Sequence, residues 1–297
     1  MICFVVLHYQ NLDVTHQCIN YLKKLNCALD KHIIIVDNGS PNGSGEKLQD
    51  EYALESVITV MLSKENLGFA KGNNLGYDYA KKTMGAECIV VMNSDVYIKD
   101  VTFIEKLHNI INRNTNISVA APDIVNIEGI HCNPMIIPPI SKKSIIKIYR
   151  DNFLRYVMYS IPLINKKLWM RSCQLENPKK ENRMGWESDR EDIVPDGSCV
   201  IFFPHWIRNE DFAFVPVTFM YAEEHILYEY LKFKGYESAY FHNLQVYHME
   251  GATTGSLTKV NISDGIKNKK RNLKWHMDAC KKYLDYKKEL CKNTKLK

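Results

Sequence analysis

Short apolar runs alternate with amphipathic segments along the first 125 residues. An apolar run over residues 2–8 is followed by apolar residues at helical spacing between Val14 and Leu25. A β-branched run at 32–36 then ends in the turn sequence 37–40, Asp-Asn-Gly-Ser. This β-α-β order predicts a mostly parallel sheet with helices on both faces.

The alternation continues to about residue 125. A capping-box sequence, Thr102-Phe103-Ile104-Glu105, predicts the start of a helix. The apolar pattern as a whole predicts two more helices, at 46–52 and 102–112, and three more strands, at 57–62, 88–92 and 117–121. Between them, residues 68–76 contain three glycines but match neither a Walker sequence nor G-x-G-x-x-G. Dinucleotide binding through the usual fingerprint is therefore disfavoured.

The pattern changes after residue 125. Residues 126–190 mix prolines, basic residues and aromatics without a clear period, which favours an insertion with short helices, amphipathic at 144–159. Regular structure is predicted again beyond it, with strands at 198–203 and 241–248, a helix at 222–234 ended by Gly235, and a basic helical tail at 265–297.

Charge and cysteine usage limit the function classes. The chain of 297 residues has a net charge of +5, with basic clusters at 142–155, 166–171 and 267–297. Such clusters suit an anionic membrane surface, although solvated helices explain them equally well, and we expect no nucleic-acid partner. Nine cysteines without a C-x-x-C pair favour neither a disulfide framework nor a zinc site, and fit a reducing cytoplasm. The apolar start predicts a first strand, not a signal peptide, and no apolar stretch approaches the roughly 20 residues of a spanning helix.

Polar groups stand at four predicted strand ends or helix starts. Each has an ordinary structural explanation: an Asx turn at Asp37 and Asn38, a cap at Asp95, a helix-dipole contact at Glu223 and Glu224, or a backbone-bonded His248. A divalent cation, Mg²⁺ or Mn²⁺, takes one or two protein ligands and completes its shell with phosphate and water. Together, Asp95 and His248 suit that role, and the imidazole favours Mn²⁺.

Several motifs in order resemble family 2 glycosyltransferases, and most of all their rhamnosyltransferase-like branch. The resemblance covers about residues 1–125 and 195–255. It rests on segments 36–40, 66–76, 92–96, 196–199 and 219–224, with Gly235 and 246–248 after them. It implies a GT-A fold, a Rossmann-like mixed, mostly parallel sheet flanked by helices, here with a helical insertion and a basic C-terminal helical tail.

The resemblance also implies an organisation into parts. We expect a catalytic domain at 1–260 and a separate tail at 261–297. Within the catalytic domain we expect a nucleotide-binding half at 1–125, the insertion at 126–190 as a membrane or acceptor contact, and an acceptor and catalytic half at 191–260.

Carried onto this chain, the resemblance implies a catalytic base at Glu224 with Glu223 beside it. It implies a metal site formed by Asp95, the last acid of the family's D-x-D motif, and His248. The remaining polar and glycine positions would bind the nucleotide donor, with Asp37 and Asn38 at the nucleobase: His8, Asp37, Asn38, Asn66, Gly68, Phe69, Gly72, Asn73, Asn74, Asn93, Ser94 and Asp95. A free glutamic acid has a pKa of about 4.3, so we expect the base to be ionised at neutral pH.

The chain departs from the family pattern in three places. Asn93 replaces the first acid of D-x-D, which lowers the charge at the metal site. Glu224 stands where the family usually has Asp, so that either Glu223 or Glu224 could be the base. Asn38 replaces an acid of many uridine-binding members, which is compatible with a thymidine donor.

The expected function is transfer of a sugar, with inversion, from a dTDP- or UDP-sugar such as dTDP-rhamnose. The expected acceptor is a saccharide or lipid-linked saccharide in surface polysaccharide synthesis. We expect a cytoplasmic protein, peripheral at the inner membrane face, with a homodimer left open. The alternatives are an inactive sugar-nucleotide-binding scaffold and, less favoured, a nucleotidyltransferase.

Overall fold

The structure is a computed structural model that describes residues 1–26, 30–135, 140–174, 181–249 and 261–294. Parts of all four predicted segments lie outside the described residues. These parts are 27–29 of the nucleotide-binding half, 136–139 and 175–180 of the insertion, 250–260 of the catalytic half, and 295–297 of the tail.

Strands and helices alternate through the first half, as the sequence predicts. Its elements are β1 (Ile2–His8), α1 (Leu12–Lys23), β2 (Lys31–Asp37), α2 (Ser44–Glu51), β3 (Ile58–Leu62), α3 (Phe69–Lys82), β4 (Cys88–Asn93), β5 (Val96–Tyr97), α4 (Phe103–Arg113) and β6 (Ile117–Asn126). The second half is more helical. Its elements are α5 (Lys142–Ser160), α6 (Pro162–Gln174), β7 (Arg190–Glu191), β8 (Cys199–Phe202), α7 (Pro204–Asn209), α8 (Glu223–Lys234), β9 (Glu237–His248) and α9 (Ile262–Thr294).

The described strands form one mixed sheet in the order β3-β2-β1-β4-β8-β6-β9-β5, with β7 paired to β9. Strands β1 to β4 are parallel to their neighbours within that group. Strand β8 runs antiparallel to both β4 and β6, whereas β6 and β9 are parallel. The mixed, mostly parallel sheet confirms the predicted fold class.

Helices cover both faces of the sheet because side chains alternate along each strand. On β1, Phe4 and Val6 pack into a cluster with Leu22 of α1, and this cluster includes residues of α4. Val5, which points to the other face, joins Tyr77 of α3 and Leu227 of α8. The prediction of helices on both faces is therefore confirmed.

Two local expectations differ from the structure. The glycine-containing segment, which carried no helix prediction, forms α3, and a Cβ added at Gly76 would collide with Val5 on β1. Glycine is a poor helix former, so here close packing of helix on strand outweighs propensity. Helix α4 starts at Phe103 as predicted, but the Thr102 hydroxyl donates to Asp100 Oδ1 and caps no helix N–H.

The tail helix α9 packs against α5, α6 and α8. Cys280, Tyr283 and Tyr286 of α9 are buried in one cluster with Ile145 of α5 and Ile226 of α8. Across the described helices, none combines the length and the hydropathy needed to cross a membrane.

Candidate active site

The strand register brings several predicted site residues to one edge of the sheet. His8, at the end of β1, lies opposite Asp37 at the end of β2, and Leu7 lies opposite Asn93 at the end of β4. The carboxyl ends of parallel strands are where open α/β sheets bind ligands. The first half of the predicted site therefore stands in the expected place.

Asn38 holds the loop that leads into α3. Its Oδ1 accepts a hydrogen bond from Leu67 N at 3.0 Å, and its Nδ2 donates to Gly68 O at 3.1 Å. Asn66 closes the same loop, since its Oδ1 accepts from Gly68 N at 2.9 Å. Both amides thus shape the loop that leads into α3, and contact between Asn38 and a nucleobase stays a prediction.

His8 is fully buried, and both of its ring nitrogens have hydroxyl partners. Nδ1 lies 2.7 Å from Thr15 Oγ1 and Nε2 lies 2.8 Å from Ser44 Oγ. Burial lowers the pKa of His8 to about 4, so the ring is neutral at physiological pH. His8 Nε2 lies 3.9 Å from Asp37 Oδ1. The other oxygen of Asp37, Oδ2, accepts a hydrogen bond from Ser40 N at 3.1 Å in an Asx turn.

The asparagines of α3 have different surroundings. Asn73 is buried and donates to Phe69 O at 3.0 Å. Asn74 reaches a loop 140 residues away, donating to Phe214 O at 2.8 Å and accepting from Phe214 N at 2.9 Å. Its side chain therefore ties α3 to the segment that precedes α8.

Gly68 provides a second link between the two halves. Its φ is +81°, and a Cβ there would collide with the carbonyl of Phe219. The close approach allows Phe69 N to donate to Phe219 O at 2.8 Å. Gly72 is tight as well, since an added Cβ would lie 2.9 Å from Leu7 Cδ1. At position 68, only glycine allows both the positive φ and the close approach to the Phe219 carbonyl.

The predicted metal ligands, Asp95 and His248, lie side by side. Val96 pairs with His248 across β5 and β9, and Met249 N donates to Asp95 O at 2.9 Å. Asp95 Oδ1 lies 3.3 Å from His248 Nε2, with Asp95 2% exposed and the histidine partly exposed. Ser94, also predicted at the donor site, is buried beside Asp95.

The donor set fits a divalent cation that takes few ligands from the protein. One carboxylate and one imidazole at this separation can share an ion whose other positions go to phosphate and water. Within the described residues there is no group of three or more His, Cys, Asp or Glu side chains placed to hold a metal. A cation bound here would therefore need phosphate oxygens and water to complete its coordination shell.

Glu223 and Glu224, the acidic pair, begin α8 directly after a strained turn. Tyr221 and Ala222 have φ of +73° and +68°, a region that side-chain-bearing residues rarely adopt. Such strain is typical of functional sites, where the surrounding structure enforces it. The turn fixes where Glu223 and Glu224 leave the backbone.

The two glutamates have different neighbours. Glu223 is buried and its Oε1 accepts from Thr218 Oγ1 at 3.2 Å. Glu224 is partly exposed, and a Cβ added at Gly197 would lie 4.0 Å from its Oε2 and 3.6 Å from the Phe69 ring. Glu224 and the Phe69 ring therefore lie on either side of the same glycine.

Surrounding protein desolvates both carboxylates and raises the pKa of Glu223 and of Glu224 to about 7, even though part of the Glu224 side chain is exposed. The charges of neighbouring acids add to the effect, Glu224 acting on Glu223 and Asp196 acting on Glu224. The unperturbed pKa expected from the sequence is therefore wrong, because the sequence does not reveal how far the start of α8 is buried.

Two aromatic side chains of α9 support this turn. The His276 ring stacks on Tyr221 with centroids 3.6 Å apart, and Trp275 lies 5.3 Å from Phe219. Burial lowers the pKa of His276, which favours the neutral ring. The sequence does not single out either residue, since nothing in the tail's basic pattern indicates which helix face meets the segment before α8.

Comparison with known proteins identifies the class to which this fold and site belong. The family model for glycosyl transferase family 2 matches residues 3–174. The match covers more than half of the chain, which therefore belongs to that family.

One curated relative is the low-salt glycan biosynthesis hexosyltransferase Agl10 of Haloferax volcanii. It is 33% identical over 102 residues, which are 34% of this chain and 30% of the relative. The matched segment thus spans about a third of that protein's length.

Among solved structures, S. aureus TarS 1-349 aligns with a TM-score of 0.50 and 12% identity, over 96% of this chain and 71% of that one. The same protein in complex with UDP-GlcNAc aligns with a TM-score of 0.52 and 13% identity, over 86% of this chain and 61% of that one. At these identities the likeness shows the fold alone, which is GT-A.

Proposed function

We propose that the protein transfers a sugar, with inversion, from a nucleoside-diphosphate donor to an acceptor hydroxyl. Membership of glycosyl transferase family 2 supports the reaction class. The observation that carries the proposal is the position of Glu224. Its carboxylate lies close to Gly197, as does the ring of Phe69, whose backbone is bonded to the loop before α8.

We assign the catalytic base to Glu224 and a positioning role to Glu223. Glu224 is the more exposed of the two, whereas Glu223 is buried and bonded to Thr218. The Glu224 carboxylate would take the proton from the acceptor hydroxyl as its oxygen bonds to the anomeric carbon. The bond from that carbon to the diphosphate breaks on the opposite face. A pKa of about 7 makes the carboxylate a better base than an ordinary glutamate, while half of it stays ionised at neutral pH.

Asp95 and His248 would hold Mg²⁺ or Mn²⁺. When bound, the cation supplies Lewis-acid stabilisation of the charge that develops on the leaving diphosphate. Asn93, at the end of β4, contributes no charge, so the site has one carboxylate fewer than a D-x-D pair.

We propose a dTDP- or UDP-sugar as the donor and a saccharide, free or lipid-linked, as the acceptor. Binding of UDP-GlcNAc by TarS and the description of Agl10 as a glycan biosynthesis hexosyltransferase support this substrate class. Residues 1–125 would form the nucleotide-binding half and 191–260 the acceptor half. The predicted contacts with the donor at Asn66, Gly68, Phe69, Gly72 and Asn73 belong to the same proposal.

Hydrolysis of a panel of sugar nucleotides in the presence of Mn²⁺ tests the proposal. We expect the protein to release nucleoside diphosphate from one donor class. Glu224→Gln should reduce acceptor-dependent turnover by about 100-fold or more, because general base catalysis contributes about 10²–10⁴-fold. Donor affinity, measured by calorimetry, should be unchanged.

Glu223→Gln is the matched control, since it makes the same change in the adjacent residue and should leave more turnover. The opposite ranking of the two variants would reverse the assignment of the base. Donor binding without hydrolysis or transfer would indicate a scaffold, and release of pyrophosphate would indicate a nucleotidyltransferase.

A further inference from the structure

A cleft of about 460 Å³ lies between α5, α6 and α9, outside the site described above. Tyr156 and Tyr159 of α5, Asn165 of α6 and Ser263 of α9 form part of its wall. The remaining wall comes largely from basic side chains of α9. The cleft is therefore amphipathic, with aromatic faces on one side and positive charge on the other.

Four basic residues of α9 face this cleft, at positions i, i+3, i+4 and i+7 of one helical face: Lys267, Lys270, Arg271 and Lys274. In the described part of the chain, no acidic side chain forms an ion pair with any of the four. Lys270 and Lys274 instead lie over the Tyr156 ring, at 5.3 and 5.5 Å from its centroid. Like charges this close repel one another, so an anion in the cleft would stabilise the arrangement.

The walls of the cleft are held by packing. Trp169 of α6 is buried with Tyr159 of α5 and Leu273 of α9 in one cluster. Gly265 lets α9 approach α6 so closely that an added Cβ would collide with the Trp169 ring. The cleft is thus a built feature of three packed helices, not a gap between loose side chains.

The outer surface of α5 and α6 next to the cleft is apolar. Leu163, in the first turn of α6, is 93% exposed. Exposed apolar side chains continue along α5 and the turn between the helices at Phe153, Leu154, Val157, Met158 and Ile161. Lys166 and Lys167 follow directly in α6. An apolar surface rimmed by cations is the chemistry that binds the interface of an anionic bilayer.

We propose that this cleft binds the phosphate group of an anionic membrane lipid while the exposed apolar side chains of α5 and α6 enter the bilayer interface. The positive charge inside the cleft selects this occupant over a second copy of the chain, whose corresponding surface carries the same charge. The inference goes beyond sugar transfer, and binding can be measured without any sugar donor.

Vesicle flotation of the full chain tests the proposal. We expect the protein to bind vesicles of phosphatidylcholine containing phosphatidylglycerol, and to bind pure phosphatidylcholine vesicles weakly. Replacing Lys267 and Lys274 by Gln should weaken binding to the anionic vesicles about thirtyfold, whereas replacing both by Arg should preserve it. Both lysines are exposed, so neither change disturbs buried packing.

A double replacement of Lys281 and Lys292 by Gln is the matched control. These exposed lysines lie on the same helix outside the cleft, and the net charge changes equally. We expect this control to lose less than about threefold, because exposed charges beyond a Debye length are screened. Equal losses in the two double variants would overturn the cleft proposal and leave only general charge attraction.

Further measurements distinguish a lipid from the alternative occupants of the cleft and its apolar surface. Leu163→Ser should weaken vesicle binding but leave the binding of inorganic pyrophosphate, measured by calorimetry, unchanged. Pyrophosphate binding that depends on Lys267 and Lys274, without any vesicle binding, would overturn the lipid assignment in favour of a soluble phosphate ligand. A stable dimer by sedimentation, lost in Leu163→Ser and without vesicle binding, would show that a second copy covers the surface.

Discussion

At the scale of single residues, the raised pKa of Glu224 predicts how the reaction depends on pH. A carboxyl group with a pKa of about 7 is protonated at pH 5 to 6 and cannot accept a proton there. The value of kcat/KM should therefore rise tenfold per pH unit below about pH 7 and level off above it. The pH dependence of kcat/KM reports the titration of groups in the free protein.

Glu223 shares the same region of low polarity, so the profile needs a variant to assign it. With Glu223→Gln, we expect kcat/KM still to rise with pH below about pH 7, because the carboxylate proposed to accept the proton, that of Glu224, is retained. If kcat/KM of this variant no longer rises with pH while turnover is preserved, the titrating group is Glu223. A profile flat from pH 5 to 8 would contradict a protein base with this pKa.

A second residue-scale prediction concerns Asp95 and His248. Asp95→Asn keeps the size of the side chain but removes its charge, so donor affinity in Mn²⁺ should fall about tenfold or more. Affinity in the presence of a chelator should change little. Calorimetric titration of the donor with and without Mn²⁺ measures the metal-dependent and the metal-independent donor affinity. An equal fall in both conditions would show that Asp95 does not act through a metal.

Asn93→Asp is the complementary variant. It restores the first acid of a D-x-D pair at the end of β4, one residue before Ser94. We expect it to lower the Mn²⁺ concentration required for half-maximal donor binding, because it adds a negative charge near the cation. If the Mn²⁺ concentration required for half-maximal donor binding does not change, residue 93 lies outside the metal site.

The sequence predicts which polar residues stand at strand ends, but not the hydrogen-bond partners of several amides. Strand ends can be read from apolar runs, and so the sequence alone places Asp37, Asn93 and Asp95 at the edge of the sheet. The partners of Asn74 lie 140 residues along the chain, and no local pattern indicates such a contact. Hydrogen bonds between distant segments depend on the finished fold.

At the scale of elements, hydrophobic periodicity predicts most helices and strands. It does not predict the direction of strand pairing or how helices pack on the sheet. The strand expected at 198–203 is β8, but its antiparallel pairing follows from the chain's path through the insertion. The helix α3 escapes prediction because its glycines lower helix propensity, and the close contact with β1 that requires Gly76 is a tertiary effect. Local patterns reveal elements, and long-range packing decides how they are used.

The contact between α9 and the turn before α8 gives an element-scale prediction. The His276 ring stacks on Tyr221, whose left-handed backbone sets the exit of the acidic pair. We expect His276→Ala to lower kcat about tenfold while the donor KM changes less than threefold, since the donor loop is held separately by Asn38. Steady-state kinetics with varied donor measure both constants.

His276→Phe is the conservative control, because it retains an aromatic face for Tyr221. We expect it to recover most of the lost kcat. If Phe is as slow as Ala while both variants remain folded by circular dichroism, the imidazole nitrogens matter, and a pure positioning role by stacking is wrong. If Ala has full activity, α9 does not support the turn.

At the scale of the whole molecule, the tail helix α9 is joined to α5, α6 and α8 through shared hydrophobic clusters. Buried side chains of α9 meet α8 through Ile226 and meet α6 through Trp169. The predicted division at residue 260 rests on the resemblance and stays a prediction. The contacts favour instead a chain whose insertion and tail fold together with the sheet.

Removing the tail tests this view directly. A chain that ends at residue 260 would lose the burial of Leu273, Tyr283 and Tyr286, each buried in the full chain. Burying a large apolar side chain stabilises a protein by about 1.5–3 kcal/mol, so the loss is about 5 kcal/mol or more. That is comparable with the whole stability of an ordinary domain, about 5–15 kcal/mol.

We therefore expect the shortened chain to be largely unfolded or to melt far below the full chain. The full chain should unfold in one transition, with tryptophan fluorescence, which includes Trp275 of α9, and far-ultraviolet circular dichroism changing together. Leu54→Ala, at a side chain that is 99% exposed, is a control that should leave the transition in place. Two separated transitions, or a shortened chain as stable as the full one, would show that the tail is an independent appendage.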